Sequence, residues 1–156
     1  MLRDATLVAS KDLRLELRSR VTTNQVVPFA LLVLVLFAFA LDPDRGVLER
    51  ATPGLYWLAV LFCALLAVQR AFAVESADGI RDALRLTGLD PAGVYLGKAL
   101  AVATQLLVLE VLLGIGVAVL YDTALSGWLL LVATGVVATA GIAAAGTLFG
   151  VLAAGL

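Results

Sequence analysis

The sequence has 156 residues, of which 62% are hydrophobic and 15% are charged, and its mean hydropathy is +1.05. Soluble domains are about 45–50% apolar and about 25% charged, so the apolar excess excludes an ordinary water-soluble domain. The net charge of −1 excludes a strongly basic nucleic-acid-binding protein, and we expect the lipid bilayer rather than nucleic acid as a partner.

An interfacial amphipathic helix is predicted first, over residues 1–21. Its apolar side recurs every fourth residue and consists of Ala9, Leu13, Leu17 and Val21. Its basic side lies on the opposite flank and consists of Lys11, Arg14 and Arg18. Such a helix lies in the plane of the membrane interface with its basic side toward anionic headgroups, although Leu15 interrupts that side. An ordinary cytosolic lead-in helix is the alternative.

Four apolar stretches that are long enough to cross a bilayer come next, since about 20 helical residues span roughly 30 Å of hydrocarbon. The predicted transmembrane helices are residues 22–41, 55–74, 99–121 and 128–156, and the last range includes the beginning of the segment after the fourth span. The predicted fold class is therefore all-α, a polytopic membrane helix bundle of about four transmembrane helices in a single domain. Because the last stretch is apolar to Leu156 without a charged stop, we expect a chain truncated at its C-terminus.

The positions of the Lys and Arg residues predict the orientation of the bundle. Most of them lie before the first span and between the second and third spans, whereas residues 122–127 contain none. Positive charge in short loops is retained on the cytoplasmic side of a membrane. We therefore expect the N-terminus and the loop after the second span to face the cytoplasm.

A second amphipathic helix is predicted in that loop, over residues 76–87. One face carries Ala77, Ile80, Leu84 and Thr87. Two pairs at i,i+3 spacing can form salt bridges, namely Asp78 with Arg81 and Asp82 with Arg85. Gly88 suits the C-terminal cap. The apolar face must bury against lipid, the bundle or another subunit, and a solvated hairpin helix is the alternative.

No site for catalysis or nucleotide hydrolysis is predicted in this chain. The segment from Gly93 to Ala99 resembles a phosphate-binding loop, but only three residues separate its glycines and Ala99 replaces the hydroxyl residue. Lys98 is instead predicted to anchor the third span at the interface. Because the chain has no His and only one Cys, Cys63, we expect no metal site and no cofactor bound by this chain.

Polar and small residues inside the predicted spans suggest contacts between helices. Gln105 and Glu110 lie in the third span, where an ionised acid costs at least about 2.5–3.5 kcal/mol. Glu110 is either a proton or substrate contact or a hydrogen-bonding partner of another helix, and the sequence leaves both open. Three glycines of the fourth span are predicted to pack closely on a helix of this chain or of a second copy: Gly135, Gly146 and Gly150.

Several short segments, in this order and spacing, resemble the haem exporter protein B (CcmB) family over nearly the whole chain. They are residues 12–18, 51–57 and 69–72, the stretch 75–98 with Asp78-Gly79, Leu84, Leu89, Pro91 and Gly97-Lys98, and Gly127-Trp128. Members of this family look like ABC-2-type permeases with about two more helices than this chain. Where the family has a Ser-Pro run before the third span, this chain reads Thr87-Gly88-Leu89-Asp90-Pro91.

The resemblance implies a membrane permease subunit for haem export or handling in cytochrome c biogenesis, in the bacterial inner membrane. It implies a cytosolic ABC ATPase, a haem-handling membrane subunit and a second copy of the chain as partners, with haem as a possible substrate. The segment 76–87 then looks like the coupling helix, with ATPase contacts at Glu75, Asp78, Gly79, Ile80, Arg81, Asp82, Leu84, Arg85 and Pro91. An ABC-2 permease for a drug or polysaccharide, or a membrane scaffold without a translocation path, is the alternative.

Overall fold

The computed structural model describes residues 1–20, 22–41, 46–77, 88–121 and 127–153, without the side chains of residues 22, 23 and 74–77. These ranges contain five α-helices and no strand, which confirms the all-α prediction. The helices are α1 (Leu2–Ser19), α2 (Val27–Ala40), α3 (Val47–Ala77), α4 (Pro91–Leu120) and α5 (Trp128–Ala153), and a π-helical turn (Thr22–Val26) precedes α2.

Among the described helices, α3, α4 and α5 are each long and apolar enough to cross a membrane, and the pair α1 and α2 gives a fourth span if the two are taken as one bent helix. The bend between that pair is 56°. The outward surfaces of these helices are rich in exposed apolar side chains, including Val111, Val119, Val137 and Phe149. Such surfaces are stable in lipid and not in water, so the chain is a multi-pass membrane protein.

Two helices begin earlier than the predicted spans. α4 begins at Pro91 because Asp90 caps it: the Asp90 carboxylate accepts a hydrogen bond from the backbone N–H of Ala92 at 3.2 Å. Proline suits the first helical position, since its missing N–H would have no partner there. α3 begins at Val47 and continues through Pro53, whereas the predicted span began at residue 55.

The core lies between α2, α3, α4 and α5, and α4 packs against each of the other four described helices. Leu34, Val60, Leu106 and Leu109 are among its most completely buried side chains. At one end of the bundle the Tyr121 hydroxyl donates a hydrogen bond to the backbone carbonyl of Leu34 at 2.9 Å, which joins the end of α4 to α2. At the opposite end lies α1, and we call this the α1 end.

Small residues on α5 allow it to lie close to α3. A Cβ atom added at Gly146 would lie 2.8 Å from Cγ2 of Val68, and one added at Gly150 would overlap the ring of Phe72. Real Cβ atoms do not approach neighbours this closely, so a side chain at either position would force Val68 or Phe72 on α3 to shift. The predicted close contact therefore has a partner within this chain.

Candidate coupling site at the α1 end

The α1 end brings together α1, the last turns of α3 and the first turns of α4. In the sequence, residues 78–90 connect the end of α3 to the beginning of α4. α1 packs chiefly on α4, with Ala5 and Val8 buried in the contact.

Lys98 is buried at this contact, with an exposed fraction of 2%. Its Nζ lies 3.6 Å from Oδ2 of Asp12 on α1 and 4.9 Å from the centre of the Phe72 ring on α3. A buried ammonium is stabilised by a carboxylate and by the negative face of an aromatic ring. The expectation that Lys98 is an anchor at the membrane interface is therefore wrong, because its charge is compensated inside the protein.

A second ion pair joins α1 to α3. Nε of Arg70 lies 3.5 Å from Oε2 of Glu16. Glu16 lies four residues after Asp12 and hence on the same face of α1, so the two carboxylates point toward α3 and α4 together. Through these two pairs, α1 is attached to the end of α3 and to the beginning of α4.

Two glycines on α4 let the backbones of α1 and α4 approach. A Cβ atom added at Gly97 would lie 2.6 Å from Cβ of Val8 and 2.7 Å from the carbonyl oxygen of Ala5. One added at Gly93 would lie 3.0 Å from Cβ of Asp4. Gly93 and Gly97 thus have the G-x-x-x-G spacing of close helix pairs, which explains the glycines that superficially resembled a phosphate-binding loop.

Glu110 lies in a different place, at the junction of three helices within the membrane-spanning part. Its carboxylate accepts a hydrogen bond from the Thr139 hydroxyl of α5, and its backbone carbonyl accepts one from the Tyr56 hydroxyl of α3 at 3.2 Å. A Cβ atom added at Gly135 would lie 2.9 Å from the other carboxylate oxygen, Oε2. The Thr104 hydroxyl, on the same helix as Glu110, donates to the carbonyl of Leu100.

These contacts support the structural interpretation of Glu110, because one carboxylate oxygen bonds to α5 and the backbone carbonyl bonds to α3. Gly135 contributes to this junction because its missing side chain leaves space for the Glu110 carboxylate. Gln105, the other polar residue predicted within this span, is half-buried on the same helix. Among the described residues, no group of three or more His, Cys, Asp or Glu side chains is placed to hold a metal ion.

Comparison with known families decides which kind of membrane bundle this is. The family described as CcmB protein matches residues 3–156, which is nearly the whole chain. The chain belongs to the CcmB family. The family resemblance that the sequence segments suggested is thereby confirmed.

Curated relatives of this CcmB chain carry the name Heme exporter protein B. The protein of Paracoccus denitrificans (strain Pd 1222) is 36% identical over 91 residues, and that of Escherichia coli (strain K12) is 33% identical over 90 residues. Both matches cover 58% of this chain, and they cover 42% and 41% of the two relatives. The protein of Haemophilus influenzae (strain Rd) is 32% identical over 94 residues, 60% of this chain and 42% of that protein. No solved structure matches.

The predicted ATPase contacts of this CcmB chain fall mainly beyond what the structure describes. Pro91 is the first residue of α4, and Glu75 lies in the last turn of α3. The others lie outside the described residues: Asp78, Gly79, Ile80, Arg81, Asp82, Leu84 and Arg85. The helix predicted over 76–87 therefore stays a prediction. The structure adds two ion pairs that the sequence did not predict, Lys98 with Asp12 and Arg70 with Glu16.

Replacement of Glu110 with leucine is expected to lower the free energy of unfolding by about 1–3 kcal/mol, because Thr139 loses its acceptor in a buried site. Glu110→Gln keeps a carbonyl oxygen in the same position and should cost less than half as much. Thermal unfolding of the purified chain in detergent measures both changes. If Glu110→Gln is as stable as wild type but abolishes transport, the acid has a proton or substrate role in addition to its structural one.

Proposed function

We propose that this chain is a membrane-spanning permease subunit of an ABC-type complex that exports or handles haem in cytochrome c biogenesis. In this proposal it lies in the bacterial inner membrane with its N-terminus in the cytoplasm. A separate cytosolic ATPase hydrolyses ATP, and a second copy of the chain and a haem-handling membrane subunit complete the complex. Membership of the CcmB family and relatives named Heme exporter protein B support the transport role.

The observation that carries the coupling role is the attachment of α1 to both helix ends that flank residues 78–87. A partner that binds this segment pushes on the end of α3 and on the beginning of α4. Lys98 is ion-paired with Asp12, and Arg70 with Glu16, so the two helix ends and α1 are linked. Breaking the buried Lys98–Asp12 pair is costly, hence α1 and the beginning of α4 should move together, while the partly exposed Arg70–Glu16 pair adds a weaker link to α3.

A displacement at this end reaches the middle of the membrane along α4. α4 packs against the other four described helices and carries Glu110 at the junction with α3 and α5. Long helices transmit movement along their axes because their hydrogen-bonded backbone is stiff compared with loops. The proposed sequence is therefore ATPase closure, movement of residues 78–87, and rearrangement of the spans through α4.

Charge reversal at Asp78 or Asp82 is expected to uncouple the complex while the chain still inserts into the membrane. Each substitution places a like charge beside Arg81 or Arg85 in the predicted helix, which disrupts both the helix and the partner surface. The measurement is ATP-dependent cytochrome c assembly, together with recovery of an ATPase when the full-length protein is purified from its native cell in mild detergent.

The matched control is Glu49→Lys, which reverses an exposed acid at the start of α3, far from the α1 end. It should leave both readouts unchanged. An ATPase that copurifies equally well with Asp78→Lys, Asp82→Lys and wild type, at undiminished activity, would refute the assignment of residues 76–87. Recovery of no ATPase with the wild-type protein would count against the whole proposal.

A further inference from the structure

We infer that the outward side of α1 binds the phosphate of an anionic phospholipid headgroup, chiefly through Arg14 and Arg18. This inference concerns a lipid site on one helix and does not depend on which subunits assemble with the chain. It rests on the way the structure divides the charges and the apolar side chains of α1 among three sides of the helix.

The first side of α1 faces the protein. Ala5 and Val8 are buried there, and Asp12 and Glu16 point to Lys98 and Arg70. These residues recur at intervals of three and four, as expected for one helical face. The inner side therefore contains two of the three carboxylates of α1, each within an ion pair.

The second side of α1 is apolar and exposed. Leu2 and Leu17 are each 79% exposed, and Leu13 lies on the same side between them. At 100° per residue, this side is about a quarter turn from the inner one. An exposed leucine side on a helix that leads directly into a membrane span is typical of a helix that lies at the bilayer boundary.

The third side of α1 is basic. Arg14 and Arg18 are exposed and lie four residues apart, beside Ser10 and Lys11, and the exposed Leu7 and Leu15 flank them. In the sequence, the acids of α1 nearly balance its bases. In the structure, Asp12 pairs with Lys98 and with Lys11, and Glu16 with Arg70, whereas no acid of α1 pairs with Arg14 or Arg18 among the salt bridges of the described residues; Asp4 lies 3.3 Å from the amino terminus of Met1. The charge of the outward side is therefore more positive than the sequence of the helix suggests.

This combination fits a phospholipid better than a free anion. When the leucine side enters the acyl region, the basic side beside it lies at the depth of the phosphate groups. A guanidinium donates two parallel hydrogen bonds to phosphate oxygens, and two arginines one turn apart can hold one headgroup from both sides. Each surface charge is expected to change lipid affinity about fivefold, so loss of both should change it by about 25-fold.

The test compares phosphatidylglycerol with phosphatidylcholine of the same acyl chains, bound to the purified full chain and counted by native mass spectrometry. Wild type should retain phosphatidylglycerol at least about tenfold better, and the double variant R14Q/R18Q should lose this preference. R14K/R18K keeps the charge and should retain most of the preference for phosphatidylglycerol. This variant also shows that substitution at these two positions does not by itself unfold the chain. R45Q/R50Q removes two cations at and just before the start of α3 and is the matched control, expected to behave as wild type.

Equal retention of the two lipids by wild type would overturn the inference, and so would an equal loss in R45Q/R50Q. Full displacement of phosphatidylglycerol by excess inorganic phosphate would show a site for a free anion instead of a lipid site. If R14Q/R18Q keeps its lipid preference but loses a copurifying protein, the basic side is a protein-binding surface and the inference is wrong.

Discussion

Replacement of Lys98 with methionine is expected to lower the free energy of unfolding by about 3 kcal/mol and to release α1 from the bundle. Breaking a buried ion pair from one side costs about 3–5 kcal/mol, because the remaining charge keeps its desolvation cost without its partner. The lower end applies here, since the Asp12 side chain is 15% exposed and keeps a second partner, Lys11, whose Nζ lies 3.0 Å from its other oxygen. Thermal unfolding in detergent and protease cleavage of α1 measure the two effects.

Lys11 supplies the matched control, because its Nζ lies 3.0 Å from the same Asp12 carboxylate while its side chain is 34% exposed. Lys11→Met should change stability by less than about 1 kcal/mol, as exposed pairs generally do. The double variant K98M/D12N should recover part of the loss, since both charges are then removed. Equal effects of Lys98→Met and Lys11→Met would show that burial of Lys98 does not hold α1 in place.

Gly97→Ala is expected to destabilise the chain by about 1–3 kcal/mol by forcing α1 away from α4. The added Cβ atom would lie 2.7 Å from the carbonyl oxygen of Ala5, and backbone cannot move aside as a side chain can. Overpacking of a filled contact typically has a cost of this size. Thermal unfolding measures the loss, and a weaker disulfide cross-link between cysteines introduced in α1 and α4 reports the displacement.

Gly114 is the matched control in the same helix, where an added Cβ atom would meet no described atom of another helix within 4 Å. Because alanine favours a helix more than glycine does by about 1 kcal/mol, Gly114→Ala should be neutral or stabilising. The two substitutions thus have opposite expected signs. If Gly97→Ala stabilises the chain as much as Gly114→Ala, then α1 does not lie against α4 as described.

The spans of this chain are predictable because a transmembrane helix is a local property, visible in about 20 consecutive residues. The ion pairs at the α1 end are not predictable in this way, since Asp12 and Lys98 are far apart in the sequence and no local pattern indicates that they meet. An isolated Lys beside an apolar stretch has the pattern of an interfacial anchor, and only the packing of α1 on α4 shows that it is buried.

The difference between local sequence patterns and contacts between distant residues also explains how much could be predicted about Glu110 and the glycines. Glu110 stands out in the sequence as an acid within an apolar span, but its partner Thr139 lies on another helix and is one of several threonines available. Gly93 and Gly97 have the spacing of a close helix contact, yet the lysine after them gives the segment a partial likeness to a phosphate-binding loop. Small-residue spacing predicts a close approach of two helices, whereas the identity of the second helix depends on the fold.

The membrane orientation decides most directly whether residues 78–87 can meet a cytosolic ATPase. In a Cys63→Ala background, single cysteines at Ala83 and Ser126 can be probed in spheroplasts with a membrane-impermeant maleimide. We predict that Ala83→Cys is labelled only after the membrane is opened, and that Ser126→Cys is labelled in intact spheroplasts. Labelling of Ala83→Cys from outside, with Ser126→Cys protected, would contradict the proposed coupling.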